Sequence, residues 1–299
     1  MSGTTEPAEL YSAIEESARV LGVPCVRDKV WPILSAYADA LPDAVIAFRV
    51  GTGERYTGDL DWRFTVPTAM DPYAIARANG LTPTTDHPVS ATLSDIQDRC
   101  PIASYGIDFG VVGGFKKIYA FFPPDDMQTL STFTAMASMP AGLAEHAEFF
   151  ARHGLDGDQV NVFGIDYQHR TVNVYFGALP PAVLQPATVR SMLRELDLPA
   201  PSEQMLTLGE QAFGIYATVG WDSPQVLRYC FAVMTPDATA LPVRIEPRIE
   251  HFLETIPYGA EDGRFIYYAG VSANGEENFK LQSYFAWQPR MLDQMLMSE

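Results

Sequence analysis

Ten short segments of the chain read as strands, several of them alternating apolar and polar side chains with a period of two, and they come in pairs separated by polar turns. AVIAFRV (44–50) and DLDWRFTVP (59–67) flank GTGERYTG; ASYGIDFGV (103–111) precedes FKKIYAFF (115–122); QVNVFGID (159–166) and TVNVYFG (171–177) meet at YQHR. AFGIYATVG (212–220) pairs with VLRYCFAVM (226–234), and RFIYYAGVS (264–272) with NFKLQSYFAW (278–287) across ANGEE. Between the pairs, apolar residues recur about every 3.6 positions. That spacing predicts helices in ELYSAIEESARVLG, VWPILSAYADAL, PYAIARANG, LSDIQDRC, PAGLAEHAEFFARHG, PATVRSMLRELD, PRIEHFLETI and QPRMLDQMLM. The order helix, strand, strand, helix repeats about five times, with no linker long enough to part domains, so one α+β domain over residues 1–299 is expected.

The two rows of each strand differ in kind. Leu60, Trp62, Phe64 and Val66 oppose Asp61, Arg63 and Thr65; Val172, Val174 and Phe176 oppose Thr171, Asn173 and Tyr175. Phe213, Ile215 and Ala217 oppose Gly214, Tyr216 and Thr218, and the last two pairs place Arg228 and then Lys280, Gln282 and Tyr284 opposite apolar rows. In GGFKKIYAFFP (113–123), strict alternation puts Phe115, Lys117, Tyr119 and Phe121 on one face and Lys116 on the other. Taken alone, Lys117 reads as a lysine on a solvated face. An open sheet face, however, would carry many Lys, Glu and Asp. These faces carry single cations, Arg63, Lys117, Arg228 and Lys280, separated by Tyr, Phe, Cys, Ala and Thr, which suits a closed barrel with an interior chamber. Enclosing four unpaired cations costs several kcal/mol per ion. Asp61 offsets part of this, and a bound polyanion, most simply a diphosphate, would offset the rest. Tyr119, Tyr175, Tyr216 and Tyr284 share those faces, and their π-faces can stabilise an organic cation. Cations for a leaving diphosphate beside rings for a carbocation describe allylic diphosphate chemistry.

Composition narrows the partners. Twenty basic against 37 acidic residues give a net charge of -17, which argues against nucleic acid and anionic membranes. The N-terminal stretch is acidic, without the basic start and apolar core of a secretory signal, and a cytoplasmic protein is expected. Cys25, Cys100 and Cys230 show neither disulfide nor zinc spacing. Dinucleotide and P-loop glycine motifs are absent, and Asp125 and Asp126 are followed by MQTL, not the pattern of an aspartate-rich metal cluster.

GGFKKIYAFFP, VNVYFG, the DLDW…VP strand, the hairpin from Tyr216 to Arg228 followed by CFAV, and the closing KLQSY resemble the soluble bacterial aromatic prenyltransferases with the ABBA barrel, collinearly over almost the whole chain. The resemblance implies ten antiparallel strands around a solvent-filled core, inside a ring of helices. It implies transfer of a prenyl group from an isoprenoid diphosphate to an aromatic carbon. By motif position, Lys117, Asn173, Tyr216, Arg228, Lys280 and Tyr284 match diphosphate contacts, and Tyr119 and Tyr175 match prenyl-site walls. Geranyl-using, magnesium-dependent members carry a serine where this chain has Arg63 and another where it has Gly214, and smaller wall residues where it has Phe48 and Gln282.

The expected reaction is ionisation of an allylic diphosphate, attack by the aromatic ring and loss of a proton. Lys117, Arg228, Lys280 and Arg63 would act catalytically on the leaving group, Tyr119, Tyr175 and Tyr216 would shield the cation, and Gln282, Phe213, Asn161 and Phe48 would meet the acceptor. Arg63, with Asp61 as its partner, is expected to replace a metal, so no cofactor and no Mg²⁺ are required. Dimethylallyl diphosphate is the expected donor. Similarity to the phenazine-prenylating branch implies a dihydrophenazine carboxylate acceptor; a geranyl donor with a hydroxynaphthalene or phenolic acceptor, and a non-catalytic carrier of an aromatic metabolite, stay open. The chain is expected to act as a monomer.

Overall fold

The computed structural model describes residues 5–54, 56, 58–256 and 264–286. Its ten strands are β1 (Ile46–Gly51), β2 (Asp61–Val66), β3 (Ser104–Gly110), β4 (Gly114–Phe121), β5 (Val160–Asp166), β6 (Thr171–Phe176), β7 (Gly214–Gly220), β8 (Val226–Thr235), β9 (Phe265–Ser272) and β10 (Glu277–Ala286). Each pairs antiparallel with its sequence neighbours, and β1 pairs with β10, so the sheet closes into a barrel without an edge. Both the ten-strand barrel and its surrounding helices agree with the sequence-based expectation.

The helices are α1 (Pro7–Val20), α2 (Arg27–Ala36), α3 (Pro72–Ala78), α4 (Val89–Arg99), α5 (Leu130–Thr134), α6 (Ala141–Glu145), α7 (Ala147–Arg152), α8 (Pro186–Glu195), α9 (Glu203–Gly209) and α10 (Pro247–Thr255). The single helix expected over 140–154 is two short ones meeting at His146. The expected terminal helix QPRMLDQMLM and Trp287 lie outside the described residues. No helix among the described residues is long and apolar enough to cross a membrane.

The main core lies between the barrel and this helical layer. Phe48 stacks on Trp62 at 4.8 Å and meets Phe252 of α10 at 5.4 Å; Phe163 stacks on Phe133 of α5 at 4.7 Å, and Phe176 on Phe150 of α7 at 5.1 Å. The outward row of each strand thus supplies the hydrophobic surface that holds the helices, and the inward row is left for chemistry.

Alternation fails at one informative place. Asp108 pairs with Lys117 and Phe109 with Phe115, so Lys116 is the extra residue of a β-bulge. The bulge turns Phe115 outward, against Tyr167 at 6.1 Å, and lets both lysines reach the same rim. The expectation that Phe115 shares a row with Lys117 and that Lys116 lies on the opposite side is corrected accordingly.

Candidate active site

The barrel interior divides into two chambers. Odd-numbered strands end and even-numbered strands begin at the hairpin-turn end, which gathers Arg49, Asp61, Asp108, Lys116, Lys117, Asp166, Asn173 and Lys280 around one cavity. Of the four lysines in the chain, Lys116, Lys117 and Lys280 line it. Further from the turn end is a more apolar chamber of about 620 Å³ empty volume, walled by Phe121, Phe213, Ala232, Ile266, Gln282 and Tyr284 among others. Tyr119, Tyr175 and Tyr268 line both and mark their junction.

Most cations in and beside the first chamber are already paired. Arg49 and Arg63 both bind Asp108, Arg63 through Nε at 2.6 Å. Lys116 lies 2.7 Å from Asp59 and 2.6 Å from Asp61, and Lys117 lies 3.2 Å from Asp166. Burial opposes the Asp108 carboxylate, but Arg49 and Arg63 outweigh it and hold its pKa well below the usual range. Asp61 is likewise lowered, burial being outweighed by Lys116 and Arg49. Among the described residues, no carboxylate lies within ion-pair distance of Lys280 or Arg228. Lys280 donates to the Tyr216 hydroxyl at 2.8 Å and sits 5.0–5.5 Å from the ring centroids of Tyr56, Tyr216 and Tyr268. Arg228 contacts the hydroxyls of Ser272 and Tyr56 at 3.3 and 3.4 Å. The unmatched positive charge of the chamber therefore belongs to these two residues, both at most 8% exposed. An anion entering beside them finds charge already desolvated and oriented.

The junction is built from tyrosines held by their neighbours. Tyr119 is flanked in register by Gly106 on β3 and Gly164 on β5, where a Cβ on Gly164 would stand 2.8 Å from its ring. Gly164 gives the Tyr119 ring its space, while a Cβ on Gly106 would meet the Phe121 ring at 2.9 Å. The Tyr119 hydroxyl donates to Asp108 at 2.9 Å, and the Arg63 guanidinium covers the Tyr119 face at 3.9 Å. Tyr175 and Tyr216 approach to 4.6 Å between centroids. Burial pushes the pKa values of Tyr119, Tyr175, Tyr216 and Tyr268 upward, so these rings remain neutral phenols with electron-rich faces.

Several expected placements hold and others do not. Lys117, Asn173, Tyr216 and Lys280 converge on the first chamber, with Arg228 next to Tyr56 at its rim. Gln282, Phe213 and Asn161 converge on the second. Arg63 and Tyr284, expected with the diphosphate contacts, instead line the second chamber: they start further from the turn end, opposite Ala47 on β1. Asp61 is not the partner of Arg63; Lys116 takes it, while Asp108 takes Arg63. Phe48 does not line a chamber, because its parity on β1 sends it to Trp62 and Phe252. Sequence reasoning missed Arg49, the inward residue beside Phe48, and Asp108, Asp166, Tyr56 and Tyr268. The inward parity of Arg49 was a usable signal, since a lone arginine in AVIAFRV has no solvated row to join.

The model of the family "Aromatic prenyltransferase Orf2" matches residues 5–294. The chain belongs to the aromatic prenyltransferase Orf2 family. It is a prenyltransferase, and the two joined chambers are its active-site candidate. It is 50% identical over 288 residues to flaviolin linalyltransferase of Streptomyces virginiae, covering 96% of this chain and 95% of that protein. It is 49% identical over 292 residues to 5,10-dihydrophenazine-1-carboxylate 9-dimethylallyltransferase of Streptomyces anulatus, covering 97% of each. Among solved structures, the apo form of prenyltransferase PriB superposes with a TM-score of 0.55 at 13% identity, covering 94% of this chain and 96% of that one. That likeness concerns the barrel fold.

Proposed function

We propose that this prenyltransferase moves a dimethylallyl group from its diphosphate to a ring carbon of an aromatic acceptor in secondary metabolism, the acceptor being a dihydrophenazine carboxylate. The observation that carries the reading is the junction: a cation-rich chamber and an apolar chamber meet at Tyr119, Tyr175 and Tyr268. The diphosphate lies with Lys280 and Arg228, assisted by Lys117, Asn173 and Tyr216, and its first prenyl carbon lies among the tyrosines. As the C–O bond lengthens, negative charge grows on the leaving oxygen and meets fixed positive charge in a site that needs no reorganisation. Positive charge spreads over the allyl carbons, facing neutral aromatic rings that also exclude water. The acceptor carbon attacks from the second chamber, forming the C–C bond, and the ring proton passes to water.

The two relatives differ in prenyl group: one is named a linalyltransferase and the other a dimethylallyltransferase. Geranyl transfer to a hydroxynaphthalene is therefore the competing reading. A carrier reading is disfavoured by Lys280 and Arg228, since holding a neutral aromatic molecule needs no carboxylate-free cations. We further propose catalysis without metal: Asp61 and Asp166, the acidic residues facing the chamber besides Asp108, are engaged by Lys116 and Lys117. The protein acts as a cytoplasmic monomer.

The test supplies dimethylallyl and geranyl diphosphate together with 5,10-dihydrophenazine-1-carboxylate, in excess EDTA, and identifies products by mass spectrometry. Dimethylallylated phenazine as the main product supports the proposal. A geranylated product, or dependence on added Mg²⁺, overturns the corresponding part.

A further inference from the structure

The second chamber contains polar groups that prenyl chemistry does not use. Arg63 spends one edge of its guanidinium, Nε and Nη2, on Asp108, and one face on Tyr119. Its Nη1 group makes no hydrogen bond among the described residues, which leaves the Nη1/Nη2 edge for a ligand. Gln282, 3% exposed, donates from Nε2 to the Tyr284 hydroxyl at 2.8 Å, and its Oε1 is buried without a partner. Asn161 Oδ1, on the same chamber, is also buried and unpaired. Polar atoms buried without partners are uncommon and costly in a folded protein. Two such oxygens and an unengaged guanidinium N–H group around one apolar cavity describe a negative print of the molecule it holds.

Ala47 sets the spacing of that print. On β1 it pairs with Arg63 of β2 on one side and with Tyr284 of β10 on the other. Arg63 and the Gln282–Tyr284 pair thus stand two strand spacings apart, about 9–10 Å along the wall, with a methyl group between them. A fused-ring aromatic fits across this small side chain with one end at each polar group.

We infer that Arg63 and Gln282 select the acceptor: an aromatic carboxylate whose anionic oxygens dock on the Nη1/Nη2 edge of Arg63, and whose N–H or O–H at the far edge donates to Gln282 Oε1. The inference rests on the prenyl-transfer reading for the purpose of the site, but acceptor binding can be measured without turnover. A guanidinium edge matches a carboxylate bidentately and discriminates against an uncharged ester.

The experiment is calorimetric titration, under exclusion of oxygen, of 5,10-dihydrophenazine-1-carboxylate and its methyl ester into the protein, with and without dimethylallyl thiolodiphosphate. Hydrogen bonds to charged groups predict roughly 10- to 100-fold tighter binding of the carboxylate. Arg63→Gln should erase this preference while the Kd for dimethylallyl thiolodiphosphate stays within roughly threefold, because charge-assisted contacts to the diphosphate would each be worth more than that. As a check that does not disturb Asp108, Gln282→Leu should remove the preference for the dihydro form over oxidised phenazine-1-carboxylate, which lacks ring N–H groups. Equal binding of acid and ester by the unaltered protein overturns the inference, as does a preference that survives Arg63→Gln. Failure of the thiolodiphosphate to bind would count against the prenyl-transfer reading alone.

Discussion

Lys280→Met removes a charge while nearly keeping a side-chain volume, and two opposite effects can be worked out for it. In the native protein the ammonium is 8% exposed, has no carboxylate partner among the described residues, and is held by the Tyr216 hydroxyl and three tyrosine rings. A fixed charge about 4 Å from charge developing on a leaving group, at an effective dielectric of about 20, is worth about 4 kcal/mol. Loss of one preorganised stabiliser typically lowers kcat by about 10²–10³, which agrees. Stability should move the other way or not at all, since the desolvation of an unpaired cation is relieved and methionine still packs on the rings. Lys116→Met is the contrasting change. It leaves Asp59 and Asp61 without the ammonium 2.7 and 2.6 Å away, and should cost about 3 kcal/mol of stability. Diphosphate release under saturating donor and acceptor gives the first effect, and urea unfolding gives the second. A Lys280→Met protein within roughly fivefold of full turnover, far short of the expected loss, would refute the assignment of Lys280 to the leaving group.

Gly164→Ala should lower turnover with little loss of fold, because the added methyl meets the Tyr119 ring 2.8 Å away and that ring is pinned by Asp108 and Arg63; crystallography of the variant would show the displaced ring. Tyr175→Leu should divert part of the allyl cation to water, raising the ratio of prenyl alcohol to prenylated product in a chromatographic assay, whereas Tyr175→Phe, which keeps the π-face, should not. Asp108 has a lowered folded-state pKa, so its contribution to stability is complete above its unfolded value of about 4 and is lost as pH falls toward the lower folded value. Asp108→Asn should therefore be destabilised by about 3–5 kcal/mol near neutrality, and its denaturation midpoint should fall less steeply in acid than that of the unaltered protein.

The barrel was legible because β2, β6 and β7 each carry a clean two-residue alternation, with Trp62, Phe64, Val172, Val174 and Ile215 all turning to the helical layer. Strand β1 was not so readable. In AVIAFRV nearly every residue is apolar and Arg49 alone marks the inward row, so Phe48 is easily placed on the wrong side; its true side is fixed by Trp62 on the next strand and Phe252 on a distant helix. The bulge at Lys116 is invisible for a similar reason: it is a property of two paired strands, and only β3 shows that GGFKK holds one residue too many. Asp108 sits between Ile107 and Phe109, and nothing local announces that arginines from two other strands converge on it. Helices α5 and α9, five and seven residues long, are too short for a helical period to emerge. For α9 the cap was nonetheless readable, with Ser202 accepting from the Met205 amide and Glu203 in the first turn. The residues expected to share a site largely do, but their division into two chambers depends on depth along the barrel, which no single strand records.

The central claim is that diphosphate and acceptor occupy different chambers joined at the tyrosines. A crystal structure of the ternary complex with dimethylallyl thiolodiphosphate and 5,10-dihydrophenazine-1-carboxylate tests it most directly. The account predicts phosphate oxygens within hydrogen-bond distance of Lys280 and Arg228, the first prenyl carbon among Tyr119, Tyr175 and Tyr268, and the aromatic rings beyond them against Gln282 and Phe213. Phosphate oxygens bound instead to Arg63 in the second chamber, with the acceptor at the lysines, would contradict it.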